Sequence, residues 1–201
     1  EEMVVKAVEA AEGVTFLLEQ LVISLLNERS RGPAPHRRLG GVPLMLAELM
    51  SERLDRRPGA RRIAQAAACI GGAFTLDFLL ALLKDEAQVR ERLEALVEAE
   101  ILLPKRFGAE IRYEFRHALL QRMAHESMVQ TERRAMHARV VDVLLNTAVG
   151  EPAISEVLAY HLTEAGAVPE AVAAWLRAGV AADRRSAHVE AVEHIRNGLG
   201  L

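Results

Sequence analysis

The 201-residue chain holds one cysteine, Cys69, and only three lysines, Lys6, Lys84 and Lys105. A single thiol excludes an intramolecular disulfide and any zinc cluster built from several cysteines. With so little lysine, arginine carries nearly all the positive charge, and the formal balance is -3. Composition therefore supplies no general attraction to nucleic acid or to an anionic membrane. Long apolar runs are missing as well. None approaches the roughly 18 to 20 residues needed to span a bilayer, and no basic, apolar, small-residue signal opens the chain. A cytoplasmic location is expected.

The missing motifs narrow the chemistry further. No Gly-Lys pair occurs, so the loop that cradles phosphates with its lysine is absent, and nucleotide hydrolysis is not expected from these residues alone. No Gly-x-Ser-x-Gly elbow is present. His125-Glu126 is not followed by a second histidine at the spacing that puts two imidazoles on one helical face. Cys69 lies among alanines, with no neighbouring histidine in sequence and no basic helix start to lower its pKa. The sequence predicts no catalytic residue, no cofactor and no metal ligand.

What is present is helical periodicity on a chain that is 51% hydrophobic, enough for a packed core. Leu18, Val22 and Leu25 share a face of a first helix, which a loop with Gly32, Pro33, Pro35, Gly40 and Gly41 ends. Pro43 and Pro58 suit the first turns of two further helices, the second with Ile63, Ala67 and Ile70 on one face and Gly71-Gly72 as its stop. Thr75 is an expected cap for a helix with Leu76, Leu79, Leu80 and Leu83. Asp85 and Gln88 read as a capping box for one with Val89, Leu93, Leu96 and Val97. Ile101 to Leu103 and Ile111 to Phe115 are the expected strands, turned at Phe107-Gly108-Ala109. Three short helices followed by a hairpin is the order of a winged helix, here at 57–116.

Helices then resume. One is expected from His117 to Val129, and a second after a Thr131 cap with Met136, Val140 and Leu144. Others carry Leu158 and Leu162; Val172, Trp175 and Gly179; and Val189, Val192 and Ile195. Glu170-Ala171-Val172 and Glu190-Ala191-Val192 are identical and twenty residues apart, the mark of stacked helical units that cover one another's apolar faces. Glu1 to Val5 already has the character of a helix interior, and the repeats run to the end at Leu201. The chain reads as a fragment of a longer protein.

In a winged helix the third helix commonly enters the major groove. Here that stretch, Asp85 to Glu100, holds Asp85, Glu86, Glu91, Glu94, Glu98 and Glu100 against Arg90 and Arg92. The resulting charge repels phosphates, so DNA is not the expected partner. Arginines gather instead at Arg29 to Arg38 and at Arg53, Arg56, Arg57, Arg61 and Arg62, which read as a solvated face or, alternatively, as an intramolecular contact with an acidic or nucleotide-bearing neighbour.

The run "VPLMLAELMSERLDRRPGARRIAQAAACIGGAFTLDFLLALL", then "LVEAEILL" and "YEFRHALLQRMAHESM", resembles the region that follows the nucleotide-binding domain in bacterial STAND signalling ATPases, including those linked to adenylate or guanylate cyclases. "LAYHLTEAGAVPEAVAAWLRAG" is similar to the start of their tetratricopeptide-like (TPR-like) arrays. The resemblance implies a mainly α fold in five parts. These are a helical lid remnant at 1–30, a linker and connecting helix at 31–56, the winged helix at 57–116, connecting helices at 117–150 and TPR-like helix pairs from 151–201. It implies a non-catalytic regulatory segment whose partners are the ATPase core of the same polypeptide and a protein or small-ligand signal on the repeats, with ATP or ADP bound only by the parent. "EGVTFLLEQLV" resembles the family's Gly-x-Pro segment, with Gly13 matching and Thr15 at the proline position. Arg116-His117-Ala118 aligns with the Met-His-Asp motif, so the resemblance implies that His117, with Arg116 beside it, faces the phosphates of ADP. The other class open to this sequence is a DNA-binding winged-helix regulator with a helical sensor domain.

Overall fold

The computed structural model describes residues 38–39, 42–43, 59–147 and 154–201. The chain divides into two compact units, Glu1–Arg56 and Arg57–Leu201. In the first, β1 (Arg38–Leu39) pairs antiparallel with β2 (Val42–Pro43), Leu39 opposite Val42. Pro43 is thus extended rather than in the first turn of a helix; an outer position in so short a ladder tolerates its missing N–H. The expected lid remnant, with Gly13 and Thr15, lies outside the described residues.

The second unit is mainly helical with a small three-stranded antiparallel sheet. Its centre is α1 (Ala60–Ile70), in which Ala60, Ile63, Ala64, Gln65, Ala66, Ala67, Ala68 and Cys69 are all buried. Alanines on most sides allow α1 to be surrounded rather than merely faced on one stripe. Gly59 opens it at φ 78°, where an added Cβ would lie 2.4 Å from the Arg92 guanidinium. Gly71, at φ 93°, closes it with its N–H on the Ala67 carbonyl.

β3 (Phe74–Thr75) follows, then α2 (Leu76–Leu82), with Thr75 Oγ1 accepting the Phe78 N–H at 3.1 Å as the cap expected from sequence. α3 (Val89–Glu98) starts one residue after Gln88, whose backbone is left-handed at φ 58° and whose carbonyl accepts from the Arg92 N–H. Gln88 is therefore the cap itself, so the Asp85–Gln88 capping box does not form. Glu86 instead lies 3.4 Å from Arg92 and 3.7 Å from Arg62.

β4 (Leu102–Phe107) and β5 (Glu110–Phe115) form a hairpin closed through Gly108 at φ 60°, with Phe107 opposite Glu110. The sheet order is β3-β5-β4, Phe74 lying opposite Tyr113. Pro104 sits on the outer strand, where a missing N–H is tolerated. The first expected strand is longer than its apolar part because Lys105 and Arg106 remain paired to β5.

Among the described residues five helices follow: α4 (Ala118–Glu126), α5 (Gln130–Thr147), α6 (Ile154–Ala165), α7 (Val168–Arg184) and α8 (His188–Leu199). Thr131 lies inside α5 instead of capping it, since the Arg133 N–H already bonds the Val129 carbonyl. α4 and α5 both pack on α1, and α5 to α8 pack each on the next. Val141, Ala159, Leu162, Ala171, Ala174 and Trp175 form one core cluster there. Trp175 Nε1–H reaches Thr163 Oγ1 at 3.0 Å, so the indole is buried with its polar edge satisfied.

The repeated Glu-Ala-Val units sit at matching places. Each follows a turn made in the same way: Gly166 at φ 80° and Ser186 at φ 62°, then Ala167 and Ala187 whose N–H groups bond Leu162 and Ala182 carbonyls at 3.0 Å. Ala171 and Ala191 are the buried residues, while Val172 and Val192 are turned outward. The face expected on α8 is therefore corrected. Val189 and Val192 are 79% and 48% exposed, and Ala191 and His194 pack inward. Small residues explain this rotation: a Cβ on Gly179 would come within 2.9 Å of Ile195 Cγ1, and one on Gly198 within 3.1 Å of Trp175 Cβ. Helices this close bury alanine and glycine rather than valine.

No helix among the described residues is long and apolar enough to cross a membrane.

Candidate functional site

Arg116 and His117 stand between β5 and α4, as the sequence places them. The Arg116 guanidinium lies 2.9 Å from the Glu100 carboxylate, and the Arg116 backbone N–H bonds the Ile101 carbonyl. It therefore ties the hairpin exit to the end of α3. His117 is half-buried and extended (φ -136°, ψ 134°) at the N-cap of α4, and its side chain makes no capping hydrogen bond. Its carbonyl receives the Leu120 and Gln121 N–H groups. Glu91, Glu94 and Glu98 are exposed on α3, so the acidic face expected from sequence is presented to solvent.

The densest chemistry lies elsewhere, where four helices meet. Cys69 is near the end of α1, His125 near the end of α4, His137 in the middle of α5 and His161 in α6. Apolar periodicity puts them there. Cys69 ends the alanine run of α1, His137 lies in the inward stripe with Met136, Val140 and Val141, and His161 stands between Ala159 and Leu162. His137 and His161 are 0% and 1% exposed and Cys69 is 1% exposed, whereas His125 is half-buried at the mouth. Hydrogen bonds clamp α4 to α1 beside the cluster. Gln65 Nε2–H donates to Ser127 Oγ at 3.0 Å, and Gln121 Nε2–H donates to the Gly71 carbonyl at 2.6 Å.

The imidazoles form a row. His125 Nε2 is 3.2 Å from His137 Nε2, and His137 Nδ1 is 2.9 Å from His161 Nδ1. Ligand atoms of Cys69, His125 and His137 all lie within 4.8 Å of one another. Tyr160 packs edge-on against His137 and His161, with ring centroids 5.8 and 5.1 Å away.

Burial sets the protonation of this row. Desolvation lowers His137 to about 3, helped by His161, His125 and Arg133, and lowers His161 to about 4. His125 is also lowered, first by desolvation and then by Arg133, against the pull of Glu164 and Glu126. The Cys69 thiol is pushed up to about 12 by burial, against the smaller effects of Arg133 and Arg62. At neutral pH the site thus holds neutral imidazoles and a protonated thiol, all with lone pairs available and none paying for an uncompensated charge.

Cys69 therefore does have histidines beside it in space, although none is near it in sequence. His125 and His137 are twelve residues apart, and His161 follows twenty-four after His137. No short-motif spacing joins them. The available signal was a histidine inside a buried helical stripe, twice, in α5 and α6.

No family model matches the chain, and no solved structure matches it. The chain is 31% identical over 156 residues to an uncharacterized protein, R02095, of Rhizobium meliloti (strain 1021). The match covers 76% of this chain but 15% of that protein, so the chain spans well under a fifth of the length of the curated relative it matches.

Proposed function

We propose that this chain is a non-catalytic regulatory and interaction segment of a much longer cytoplasmic signal-transduction ATPase of the STAND type. In this reading residues 57–116 are a winged helix and the helices after it begin a TPR-like array. The observation that carries it is the element order α1-β3-α2-α3-β4-β5 with β3 paired into the sheet, a strand that sequence periodicity did not reveal. The twin turns at Gly166 and Ser186 support the repeat part. The exposed glutamates of α3 favour a protein neighbour over DNA, because counterion release needs cations facing phosphate.

The mechanism is a population shift. The winged helix packs on the ATPase core in the ADP state, with His117 at the α4 N-terminus facing phosphate, and a signal on the helical repeats favours the open state. Arg116 stands beside His117 and holds the joint through Glu100. The test is ADP retention by the full-length parent. His117→Ala should release ADP faster than wild type, and equal release rates would overturn the reading.

A further inference from the structure

We propose that Cys69, His125 and His137 form a binding site for one zinc-class divalent transition-metal ion, with His161 as the outer hydrogen-bond partner that orients His137. The site joins α1, α4 and α5, and through His161 it reaches α6.

The donor set selects the metal class. One sulfur and two imidazole nitrogens are soft-to-borderline ligands that suit zinc and its neighbours, not calcium or magnesium, which require oxygens. The spacing suits it too. Two nitrogens bound at about 2.0 to 2.1 Å to a tetrahedral centre stand about 3.3 Å apart, and the two Nε2 atoms here are 3.2 Å apart. Three protein ligands leave a fourth position for water or another small ligand, as in zinc sites that are not purely structural.

Tautomers are consistent with this assignment. If His137 binds metal through Nε2, its proton sits on Nδ1 and is donated to His161 Nδ1, 2.9 Å away. That bond fixes both the ring and the tautomer of the inner ligand, the usual role of an outer partner in a metal site. On metal binding Cys69 loses its proton to solvent as the ion takes the sulfur lone pair, and the histidines lose none. The proton that otherwise lies between the two Nε2 atoms moves through solvent to His125 Nδ1, so both rings stay neutral and both Nε2 lone pairs face the ion. Glu164 and Glu126 face this region and favour a bound cation, whereas Arg133 and Arg62 oppose it.

The test uses the full 201-residue chain, stripped with chelator and titrated with Co2+ as a spectroscopic probe. One equivalent should produce a thiolate-to-cobalt charge-transfer band together with intense tetrahedral ligand-field bands, and Zn2+ should bleach both. Cys69 is the chain's one thiol, so the band identifies its ligand without any variant. Cys69→Ser should remove the charge-transfer band, His137→Gln should abolish tight uptake, and His161→Gln should weaken it about 10- to 100-fold. Circular dichroism confirms that the variants fold. Absence of the band in the wild-type chain, or wild-type affinity retained in Cys69→Ser and His137→Gln, would overturn the proposal and leave a hydrogen-bonded row of neutral imidazoles.

Discussion

His137 and His161 face each other through their Nδ1 atoms at 2.9 Å, in a position where neither ring touches bulk water. One must donate and the other accept, so the pair can form only while it carries a single proton between the two facing nitrogens. This hydrogen bond between α5 and α6 is therefore conditional on protonation, while the apolar packing of Val141 on Ala159 and Leu162 is not.

A first prediction concerns pH. Both folded-state values, about 3 and about 4, lie below the ordinary 6.5, so below pH 6.5 the unfolded chain binds more protons than the folded one. Stability is then fully present above pH 6.5 and declines as pH falls toward 4, by up to about 1.4 kcal/mol per pH unit for each histidine. His125, also lowered, adds to the decline, whereas Cys69 and Tyr160, both raised by burial, stay protonated throughout this range; Arg133, Glu126 and Glu164 are the charged groups facing the row. Urea denaturation between pH 7.5 and 4.5 should show the decline, and His161→Gln should flatten it. A pH-independent midpoint in wild type would contradict the assignment.

A second prediction uses the twin turns. Ser186 adopts φ 62° where the matching turn has Gly166 at φ 80°. Replacing Ser186 with glycine removes left-handed strain, for a gain of about 0.5 to 1 kcal/mol after the entropy cost of glycine. Gly166→Ala should lose about 1 kcal/mol, and it does so by backbone strain, since the nearest atoms to its added Cβ are 3.8 Å away. Chemical denaturation of the two single variants should give opposite signs.

A third prediction tests the close crossing of α7 and α8. Gly179→Ala would bring a Cβ to 2.9 Å from Ile195 Cγ1 and 3.3 Å from the Ala191 carbonyl. Although alanine is the better helix former, the overlap should dominate, with a loss of about 1 to 3 kcal/mol. The double variant with Ile195→Ala should recover part of it, which a thermal melt would reveal.

A fourth prediction concerns the α2 cap. Thr75→Ala removes the acceptor of the Phe78 N–H and should cost about 1 kcal/mol. Thr75→Ser should keep most of it, and equal losses in the two variants would argue that the methyl contact, not the hydroxyl, matters.

Most of the fold was legible from local signals. Gly71 as a stop, Thr75 as a cap, the alternation around Tyr113 and the Glu-Ala-Val echo all occur where the sequence placed them, because each is decided by a few neighbouring residues. The misses share a cause in tertiary contact. β3 is two residues long and exists because Phe74 pairs with Tyr113, nearly forty positions away. The face of α8 turned because glycines in α7 and α8 allowed a closer approach than valines accept. The histidine cluster was invisible for the same reason. Four helices contribute one residue each, and no spacing along the chain anticipates their meeting.

The placement of Cys69 also equips the protein with a built-in gauge of its own opening. Its sulfur is covered by α4 and α5, and no other thiol competes for reagent. An alkylating agent can reach it only during moments when these helices part from α1. The labelling rate of the unmodified molecule therefore counts those partings directly, and any signal that loosens the seam between the sheet-bearing half and the helical half should be readable as faster sulfur chemistry.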